Sequence, residues 1–541
     1  VGRVLQMSYG QVDRLSKMIP VEGVKPVSIT KALADEPRLR EAAKEEVVGR
    51  LLTYAEQIEG LYRNASTHAA GVVIGDRSLD EHVPLTRGNE GEVVTQYDMG
   101  AITEVGLLKM DFLGLRNLTV LDDAIDNVQA NRGETVVLEK LDLNEDENTY
   151  ELLSRGDTLG VFQLDGAGMR SMLRILKPNE FEHISAAIAL YRPGPMGMNT
   201  HTNYAQRKSG IQQAKPIHPE LEQTLAEILD PTYGLIVYQE QVMAAAQKVA
   251  GFSLGQADLL RRAMGKKKKE ELDKQYEDFS AGMQSNGYSG AAIKTLWDTL
   301  LPFADYAFNK SHSAGYGVLS YWTAYMKANY PAEYMAALLT SVGDSKDKLG
   351  VYLNECRRMN IRVLPPDVNQ SVAAFTAVGN DIRFGLGAVR NVGYNVVEGI
   401  VAGRESGPYQ SFGDFLRRAP AVVCNKRTIE SLVKAGAFDS LGHTRRSLFV
   451  VHEEAVDAQA ALKRNEAIGQ VDLFGGVFED LTPGVQVPDL AEWSKQEKLS
   501  LEREMLGLYV SDHPLSGREA QLLNAAELSL GEFVTSESLE E

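Results

Sequence analysis

The chain has 541 residues, and we expect several domains because a single hydrophobic core rarely serves a protein of that length. Hydrophobic residues make up 44% and charged residues 24%, and no apolar run approaches the ~20 residues that cross a bilayer, which argues against a membrane role. The formal net charge is −18, so any nucleic-acid site must be a local basic surface on an acidic protein.

The cysteines and the first residues of the chain indicate the cell compartment of the protein. Cys356 and Cys424 lie far apart and have no CxxC partner, which favours neither a zinc site nor a disulfide framework and fits a reducing cytoplasm. The chain begins at Val1, and VGRVLQMSYGQVDRLSKMIP has neither the apolar stretch of a signal peptide nor the composition of a transit peptide. We therefore expect an internal fragment of a cytoplasmic protein.

The first 350 residues or so alternate between helical and β patterns. From Gly10 to about Arg63, apolar residues recur at helical spacing, as in EEVVGRLLTYAEQIEGLYR. Between Ala69 and Leu115, the segments GVVIG, VVTQYD and VGLLKMDFLGL predict a compact sheet. Helical patterns then dominate from Leu118 to Tyr352, interrupted by loops such as YRPGPMGMN and DPTYG.

The remaining sequence combines short β pieces with helices. FTAV and IRFGLG are β-like, and RNVGYNVVEGIVAGRE and CNKRTIESLVKAGAFDSLG each predict paired short helices. A charged helix, VHEEAVDAQAALKRNEAIG, leads to QVDLFGG and then to the loop-like LTPGVQVPDLAEW. The whole pattern predicts a multidomain, mostly helical α+β protein.

The strand GLLKMDFLGL contains a candidate metal and phosphate site. Alternation places Lys109 and Asp111 on one face with Leu107 and Leu113, and we expect the opposite face to be core: Leu108, Met110 and Phe112. A cation beside a carboxylate suits a phosphate and a metal ion bound side by side. An ordinary Lys–Asp ion pair at a sheet edge explains the same pattern, and one carboxylate is a weak signal.

The most basic stretch is LLRRAMGKKKK, which carries six cations between Arg261 and Lys269. Neighbouring side chains on a helix point about 100° apart, so Arg261 and Arg262 are expected to reach an extended anion such as a triphosphate and seldom one internal carboxylate. The alternative is a solvated helix end, which suits Lys266 to Lys269 better than the arginines.

Cations are interleaved with aromatic residues in FNKSHSAGYGVLSYWTAYMKANY. Aromatic side chains can stack on bases while cations bind phosphates, so this pattern indicates a nucleotide-binding segment. Lys310 and His312, in the loop-like NKSHSAG, are the better candidates, because a buried aromatic helix accounts for most of Tyr321 to Tyr325. His68, in STHAAGVV, is expected to be structural.

Two segments predict contacts with DNA. In LGAVRNVGYNVVEGIV two short helices flank a tight NVG hairpin, and NKRTIESLVKAGAF is a second, similar unit. Such a hairpin can offer backbone N–H groups at a helix start to a DNA phosphate without reading sequence. The candidate residues are Asn391, Gly393, Lys426 and Arg427. An ordinary helical corner is the alternative, and Asn391 stands where a second glycine would strengthen the motif.

QVDLF follows the charged helix and precedes two glycines, which predicts an exposed linear motif. Gln470 and Asp472 are its polar positions, while Leu473 and Phe474 would fill apolar pockets on a partner protein.

Taken together, these segments resemble the bacterial DNA polymerase III alpha subunits, the replicative C-family polymerases, over essentially the whole chain. The matching motifs occur in this order: NASTHAAGVVIG, GLLKMDFLGLRNLT, GVFQLDGAGM, YRPGPM, PTYGLIVYQEQVM, LLRRAMGKKK, FNKSHSAGYGVLSY, YPAEYMAALLT, LPPDVN, LVKAGAFDSLG and LGLYVSDHPL. So many ordered matches are far more specific than any single motif.

The resemblance implies a domain order and roles for the candidate residues. Residues 1–66 would form the thumb, 67–118 part of a polymerase-beta-like palm, 119–370 the fingers, and 371–541 the helix-hairpin-helix and clamp-binding region. Asp111 resembles the third of three palm aspartates that hold two Mg²⁺ ions, and Lys109 a lysine that binds the triphosphate. Arg261 and Arg262 resemble the finger arginines that grip the incoming nucleotide, and QVDLF resembles the sliding-clamp motif.

The resemblance also implies what is missing. The family's other two metal-binding aspartates form a D-x-D motif upstream of the segment that VGRVL resembles, and this chain has no counterpart. The N-terminal PHP domain and the C-terminal OB-fold and tail are absent as well. Two-metal nucleotidyl transfer needs carboxylates that bridge both ions, so we expect this chain alone to be inactive or nearly so.

The implied function is DNA-directed DNA synthesis in bacterial chromosome replication. Its substrates would be primer-template DNA and dNTPs, and its partners the sliding clamp, the proofreading exonuclease and the clamp loader, at replication forks on the cytoplasmic nucleoid. Two alternatives stay open: a non-catalytic module that binds DNA and the clamp, and an error-prone C-family paralogue.

Overall fold

The computed structural model describes residues 1–22, 25–62, 64–68, 70–88, 91–266, 269–303, 307–343, 345–467 and 486–518, together with 521 and 525. The chain forms two compact units, each from two separate segments. Residues 1–116 and 189–310 form the first unit, and residues 117–188 and 311–541 form the second. Among the described residues, no helix has the length and apolar character needed to cross a bilayer.

The N-terminal segment of the first unit is a small helical subdomain with its own core. Its elements are α1 (Tyr9–Lys17), β1 (Val21–Glu22), β2 (Lys25–Pro26), α2 (Ile29–Asp35), α3 (Pro37–Ala42) and α4 (Glu46–Ile58). Ser8 and Gln11 form a capping box that begins α1, because each side chain satisfies a backbone N–H of the other residue. The apolar residues of α4 lie at helical spacing, so Val48, Leu51 and Leu52 all reach the core.

The following segment carries the predicted β structure. Its elements are β3 (Gly71–Ile74), β4 (Leu85–Arg87), β5 (Val93–Thr95), α5 (Met99–Glu104) and β6 (Leu108–Asp111). Strand β3 pairs antiparallel with β6, and β4 pairs antiparallel with β5. Within the described residues these are two separate two-stranded sheets rather than the single compact sheet expected. Val83, Ile102 and Leu107 form the local core.

The second unit begins with helices α6 (Arg116–Arg132), α7 (Glu147–Arg155), α8 (Ala167–Leu176) and α9 (Phe181–Leu190). The chain then returns to the first unit with α10 (Pro193–Gly197), α11 (Thr200–Lys208), α12 (Glu222–Leu229), α13 (Gln239–Ala250), α14 (Leu254–Lys266), α15 (Lys269–Ser285) and α16 (Gly290–Phe303). Helices α12 to α16 share one hydrophobic core, in which Leu260, Phe279 and Leu296 are fully buried.

The rest of the second unit packs helices around a small mixed sheet. Its elements are α17 (Lys310–Asn329), α18 (Pro331–Ser341), α19 (Lys346–Arg358), β7 (Val363–Leu364), β8 (Thr376–Val378), β9 (Asp381–Arg383), α20 (Tyr394–Gly403), α21 (Phe412–Arg418), α22 (Lys426–Ala435), α23 (Arg445–Ala467) and α24 (Lys495–Leu506). The sheet order is β7-β9-β8. The predicted mostly helical, multidomain α+β fold is therefore confirmed.

Candidate functional site

Asp111 lies at the end of β6, where the strand pairing fixes its surroundings. The register places Asp111 opposite Gly71 and Lys109 opposite Val73. A Cβ at position 71 would meet Lys109 Cε at 2.8 Å, His68 Nδ1 at 3.0 Å and Asp111 Oδ1 at 3.2 Å, so only a glycine leaves room for these three side chains to approach one another. Backbone pairing thus holds an exposed acid and a half-buried lysine side by side next to a glycine.

Strand alternation grouped these residues correctly, but the prediction of which face is buried was wrong. Leu107 packs in the local core, whereas Leu108, Met110 and Phe112 are exposed. Val72 and Ile74, their neighbours on β3, are exposed as well. The reason is that β3 and β6 form a two-stranded sheet, and the part of the chain that the structure describes covers only the face carrying Val73 and Leu107.

Asp111 is held as a carboxylate by its neighbours. Lys109 Nζ donates to Asp111 Oδ1 at 2.5 Å, and this hydrogen bond together with the lysine charge lowers the pKa of Asp111. His68 Nδ1 lies 3.9 Å from the same oxygen. That nitrogen accepts the backbone N–H of Gly71 at 2.7 Å, which ties the ring to the start of β3.

The side chains around Asp111 do not by themselves fit a pair of magnesium ions. Mg²⁺ prefers near-octahedral oxygen ligands, and a two-ion site needs carboxylates that reach both ions. Lys109 already forms a hydrogen bond with one carboxylate oxygen of Asp111, and the other side chain nearby that could bind a metal is a histidine, which offers nitrogen instead of oxygen. Across the described ranges no group of three or more His, Cys, Asp and Glu side chains is arranged to hold a metal ion.

Arg261 and Arg262 lie inside α14, and one carboxylate binds both of them, contrary to the sequence expectation. Asp258 Oδ1 accepts from Arg261 Nε at 2.9 Å and from Arg261 Nη2 at 2.7 Å. Asp258 Oδ2 pairs with Arg262 Nε at 2.8 Å. The expectation failed because Asp258 is three residues before one arginine and four before the other, and both spacings bring helical side chains together.

Lys310 begins α17 and does not lie in a loop as predicted. Its backbone N–H donates to both carboxylate oxygens of Glu240, each at 3.0 Å, and its ammonium lies 5.4 Å from the centre of the Tyr238 ring. Next to it in the same unit, Gln239 donates its backbone N–H to Phe308 O at 2.9 Å and accepts from Arg261 Nη1 at 3.4 Å. The segment that leads into Lys310 and the arginine helix therefore meet at the start of α13.

His312 belongs to the second unit and also lies in α17. Its ring packs at a tilt against Tyr316, one helical turn away, with ring centres 4.5 Å apart. The centre of the Tyr316 ring lies 5.4 Å from that of Phe162. The third cation of this segment, Lys327, is buried and bound by Glu355, so it has a structural role.

The two predicted hairpins pack against each other in the second unit. Asn391 has φ of +66°, a left-handed conformation that asparagine tolerates, and its side-chain amide donates to Ser431 Oγ at 3.0 Å. Gly393 is exposed as the N-cap of α20. The predicted helix before this turn is only a single 3₁₀ turn, Leu386–Ala388, so the motif is shorter on that side than expected.

The cations of the second hairpin differ in their availability. Lys426 Nζ pairs with Asp457 at 2.8 Å and lies 4.0 Å from Glu453. Arg427 is exposed, and no carboxylate among the described residues pairs with its side chain. The predicted clamp-binding residues Gln470, Asp472, Leu473 and Phe474 lie outside the described residues.

Sequence reasoning missed Asp258 and Gln239, which contact the predicted arginines. The signal for Asp258 was present in the order DLLRR, since an acid three and four residues before two arginines on a helix predicts ion pairs. Gln239 had no such signal, because its contact with Arg261 depends on the packing of α13 against α14. Among the described residues, no hydrogen bond or ion pair links Asp111, Lys109 or His68 to Asp258, Arg261 or Arg262.

Comparison with protein-family models matches three separate parts of the chain. Residues 1–114 match the bacterial DNA polymerase III alpha NTPase domain, and residues 117–287 match the bacterial DNA polymerase III alpha subunit finger domain. Residues 360–448 match a helix-hairpin-helix motif.

Similar curated proteins carry the name DNA polymerase III subunit alpha. One from Mycobacterium tuberculosis (strain CDC 1551 / Oshkosh) is 56% identical over 533 residues, which cover 95% of this chain and 45% of that protein. One from Thermus aquaticus is 46% identical over 521 residues, covering 95% and 42%, and one from Campylobacter jejuni is 42% identical over 538 residues, covering 97% and 44%. The chain spans a little under half the length of these relatives, and it belongs to the family of bacterial DNA polymerase III alpha subunits.

Proposed function

We propose that this chain is part of a DNA-directed DNA polymerase that adds dNTPs to a primer 3′ end during bacterial chromosome replication. Family membership supports the general function. The observation that carries the site is the exposed Asp111 carboxylate, fixed at a strand end beside Lys109 and opposite Gly71, whose lack of a side chain leaves room for both. In this proposal Asp111 is one of three carboxylates for two Mg²⁺ ions, and the other two come from a part of the full-length protein outside this chain.

The remaining candidate residues would bind three different partners: the incoming dNTP, the DNA backbone and the sliding clamp. Lys109, the arginines of α14, Lys310 and His312 would bind the phosphates of the incoming dNTP. Asn391, Gly393, Lys426 and Arg427 would hold the DNA backbone, with Arg427 contributing more because Lys426 already has carboxylate partners. QVDLF would bind the sliding clamp, and the proofreading exonuclease and clamp loader would be partners at the nucleoid.

The domain assignment follows the same proposal. Residues 1–66 serve as thumb, 67–118 as part of the palm, 119–370 as fingers, and 371–541 as the helix-hairpin-helix and clamp-binding region. The proposed fingers contribute residues to both compact units.

The test is primer extension with Mg²⁺, using the full-length protein and the 541-residue chain. In the full-length protein, Asp111→Asn should lower the rate by about a thousandfold or more, because it neutralises a metal-binding group. The matched control is Glu104→Gln, which neutralises an exposed carboxylate on α5 and should leave the rate within about twofold. Equal rates for wild type and Asp111→Asn would refute the assignment.

A second candidate function is a non-catalytic module that binds primer-template DNA and the clamp. The lack of a metal-binding carboxylate cluster in the described residues favours it for the 541-residue chain alone. Primer extension by that chain, abolished by Asp111→Asn, would exclude this second function. DNA binding without extension would support it.

A further inference from the structure

The two arginines of α14 share one acid but are bound very differently. Every nitrogen of the Arg261 guanidinium has a protein acceptor: Nε and Nη2 donate to Asp258, and Nη1 donates to Gln239. Among the described residues, Arg262 has one carboxylate partner, Asp258, whose Oδ2 lies 2.8 Å from its Nε. The exposed fraction of the side chain is 31% for Arg261 and 63% for Arg262.

This difference decides which arginine can receive an anion. A guanidinium binds phosphate best through two parallel N–H groups, and the pair of terminal nitrogens is one such edge. In Arg262 the inner nitrogen is fixed by Asp258, so the two terminal nitrogens stay together at the exposed end of the side chain. In Arg261 the same edge is already used within the protein.

We propose that Asp258 is a positioning residue that holds Arg262 in its phosphate-binding orientation, and that Arg261 braces α14 against the start of α13. The inference rests on the proposed function, because it assumes that α14 binds the phosphates of a nucleotide. It assigns the contact with phosphate to Arg262 and gives Asp258 and Arg261 supporting roles.

Two opposing effects determine what happens when Asp258 is neutralised. Removing a negative charge near a phosphate strengthens binding, but at a solvated surface in physiological salt this effect is less than about threefold. Losing the partner that fixes a long side chain weakens binding, because ordering such a side chain on binding contributes roughly three- to tenfold. The positioning effect is the larger, so the net result is weaker binding despite the loss of a repulsive charge.

The probe is inorganic tripolyphosphate, titrated by calorimetry into the 541-residue chain at physiological ionic strength. Asp258→Asn should raise the Kd about three- to tenfold, whereas Asp258→Glu should retain most of the affinity because glutamate still reaches an arginine four residues later. The control is Asp298→Asn, which breaks the exposed Lys294–Asp298 pair on α16 and should leave the Kd unchanged. An unchanged or lower Kd for Asp258→Asn would overturn the proposal.

A double-mutant cycle tests whether Asp258 acts through Arg262. Arg262→Ala should weaken binding more than Arg261→Ala, and Asp258→Asn should have no further effect once Arg262 is removed. Additive effects, or a larger loss from Arg261→Ala, would refute the assigned roles while leaving the phosphate site intact. If wild type does not bind tripolyphosphate, or if neither arginine variant changes the Kd, the phosphate site of the proposed function fails as well.

Discussion

Lys327, in helix α17, is a buried cation that three oxygen atoms of the protein bind. Among aromatic residues its charge is typical of a nucleic-acid contact, yet its ammonium lies 2.6 Å from Glu355 Oε1 and also donates to the carbonyls of Asp157 and Leu159. The side chains of Lys327 and Glu355 are only 1% and 4% exposed. Arg358 donates to both oxygens of the same carboxylate. A buried lysine with three acceptors serves the fold.

The Glu355 carboxylate makes the stability of the second unit depend on pH. Burial by itself would raise the pKa of Glu355, but hydrogen bonds from Arg358 and Lys327 outweigh that effect and lower the pKa from 4.5 to about 2. A pKa lowered by folding adds stability that is complete above the unfolded value and is lost as pH falls toward the folded value. We therefore expect about 3 kcal/mol of unfolding free energy to disappear between pH 4.5 and about 2.

Urea unfolding of Glu355→Gln at several pH values measures this contribution. At pH 7 the variant should be less stable than wild type by about 3 kcal/mol, because Lys327 and Arg358 lose their carboxylate partner in a buried site. The difference should vanish near pH 2. Glu454→Gln, at an exposed position on α23, is the control and should change stability by less than about 0.5 kcal/mol at any pH. A difference that is independent of pH would contradict the assignment.

At the scale of elements, the β3–β6 sheet has one covered and one exposed face, and two neighbouring leucines lie on opposite faces. Leu107 is 8% exposed and packs in the local core, whereas Leu108 is 57% exposed on the other face. Leu107→Ala removes buried side-chain volume and should cost about 2–4 kcal/mol of local stability. Leu108→Ala should cost less than about 1 kcal/mol. Amide exchange of residues 71–74 measures both, with an expected acceleration of roughly thirty- to a thousandfold for Leu107→Ala only.

The same strand pair shows how far sequence reasoning reaches. Alternation correctly put Lys109 and Asp111 on one face, because that geometry is local to the strand. It could not tell which face is covered, since both contain apolar residues and coverage depends on segments distant in sequence. The same limit applies to the arginines of α14: helical spacing accounts for Asp258, but no local rule places Gln239 against Arg261. The residue types of the site were predictable, and their partners across elements were not.

At the scale of the whole molecule, each unit is assembled from two separated segments, which a reading in chain order does not reveal. In the second unit, the first segment supplies partners for buried groups of the later one. Arg132 Nε donates to the fully buried Glu333 at 2.6 Å, and Tyr334 Oη donates to Gly160 O at 2.7 Å. Phe162 N donates to Thr323 Oγ1 at 3.1 Å. The later helices therefore depend on a segment more than a hundred residues earlier.

This dependence predicts the behaviour of divided chains. Residues 310–541 expressed alone should aggregate or melt without cooperativity, because Glu333 and the Thr323 hydroxyl lose partners supplied by the first segment, and a buried carboxylate without its arginine costs several kcal/mol. Co-expression with residues 116–190, which keeps α6 to α9 whole, should give a soluble one-to-one complex. The control replaces Arg132 by methionine in the shorter piece and should weaken that complex, since it removes the partner of Glu333.

A cooperative thermal transition of residues 310–541 alone, unchanged by adding the shorter piece, would contradict the two-segment construction of this unit. Gel filtration and circular dichroism of the three preparations distinguish these outcomes.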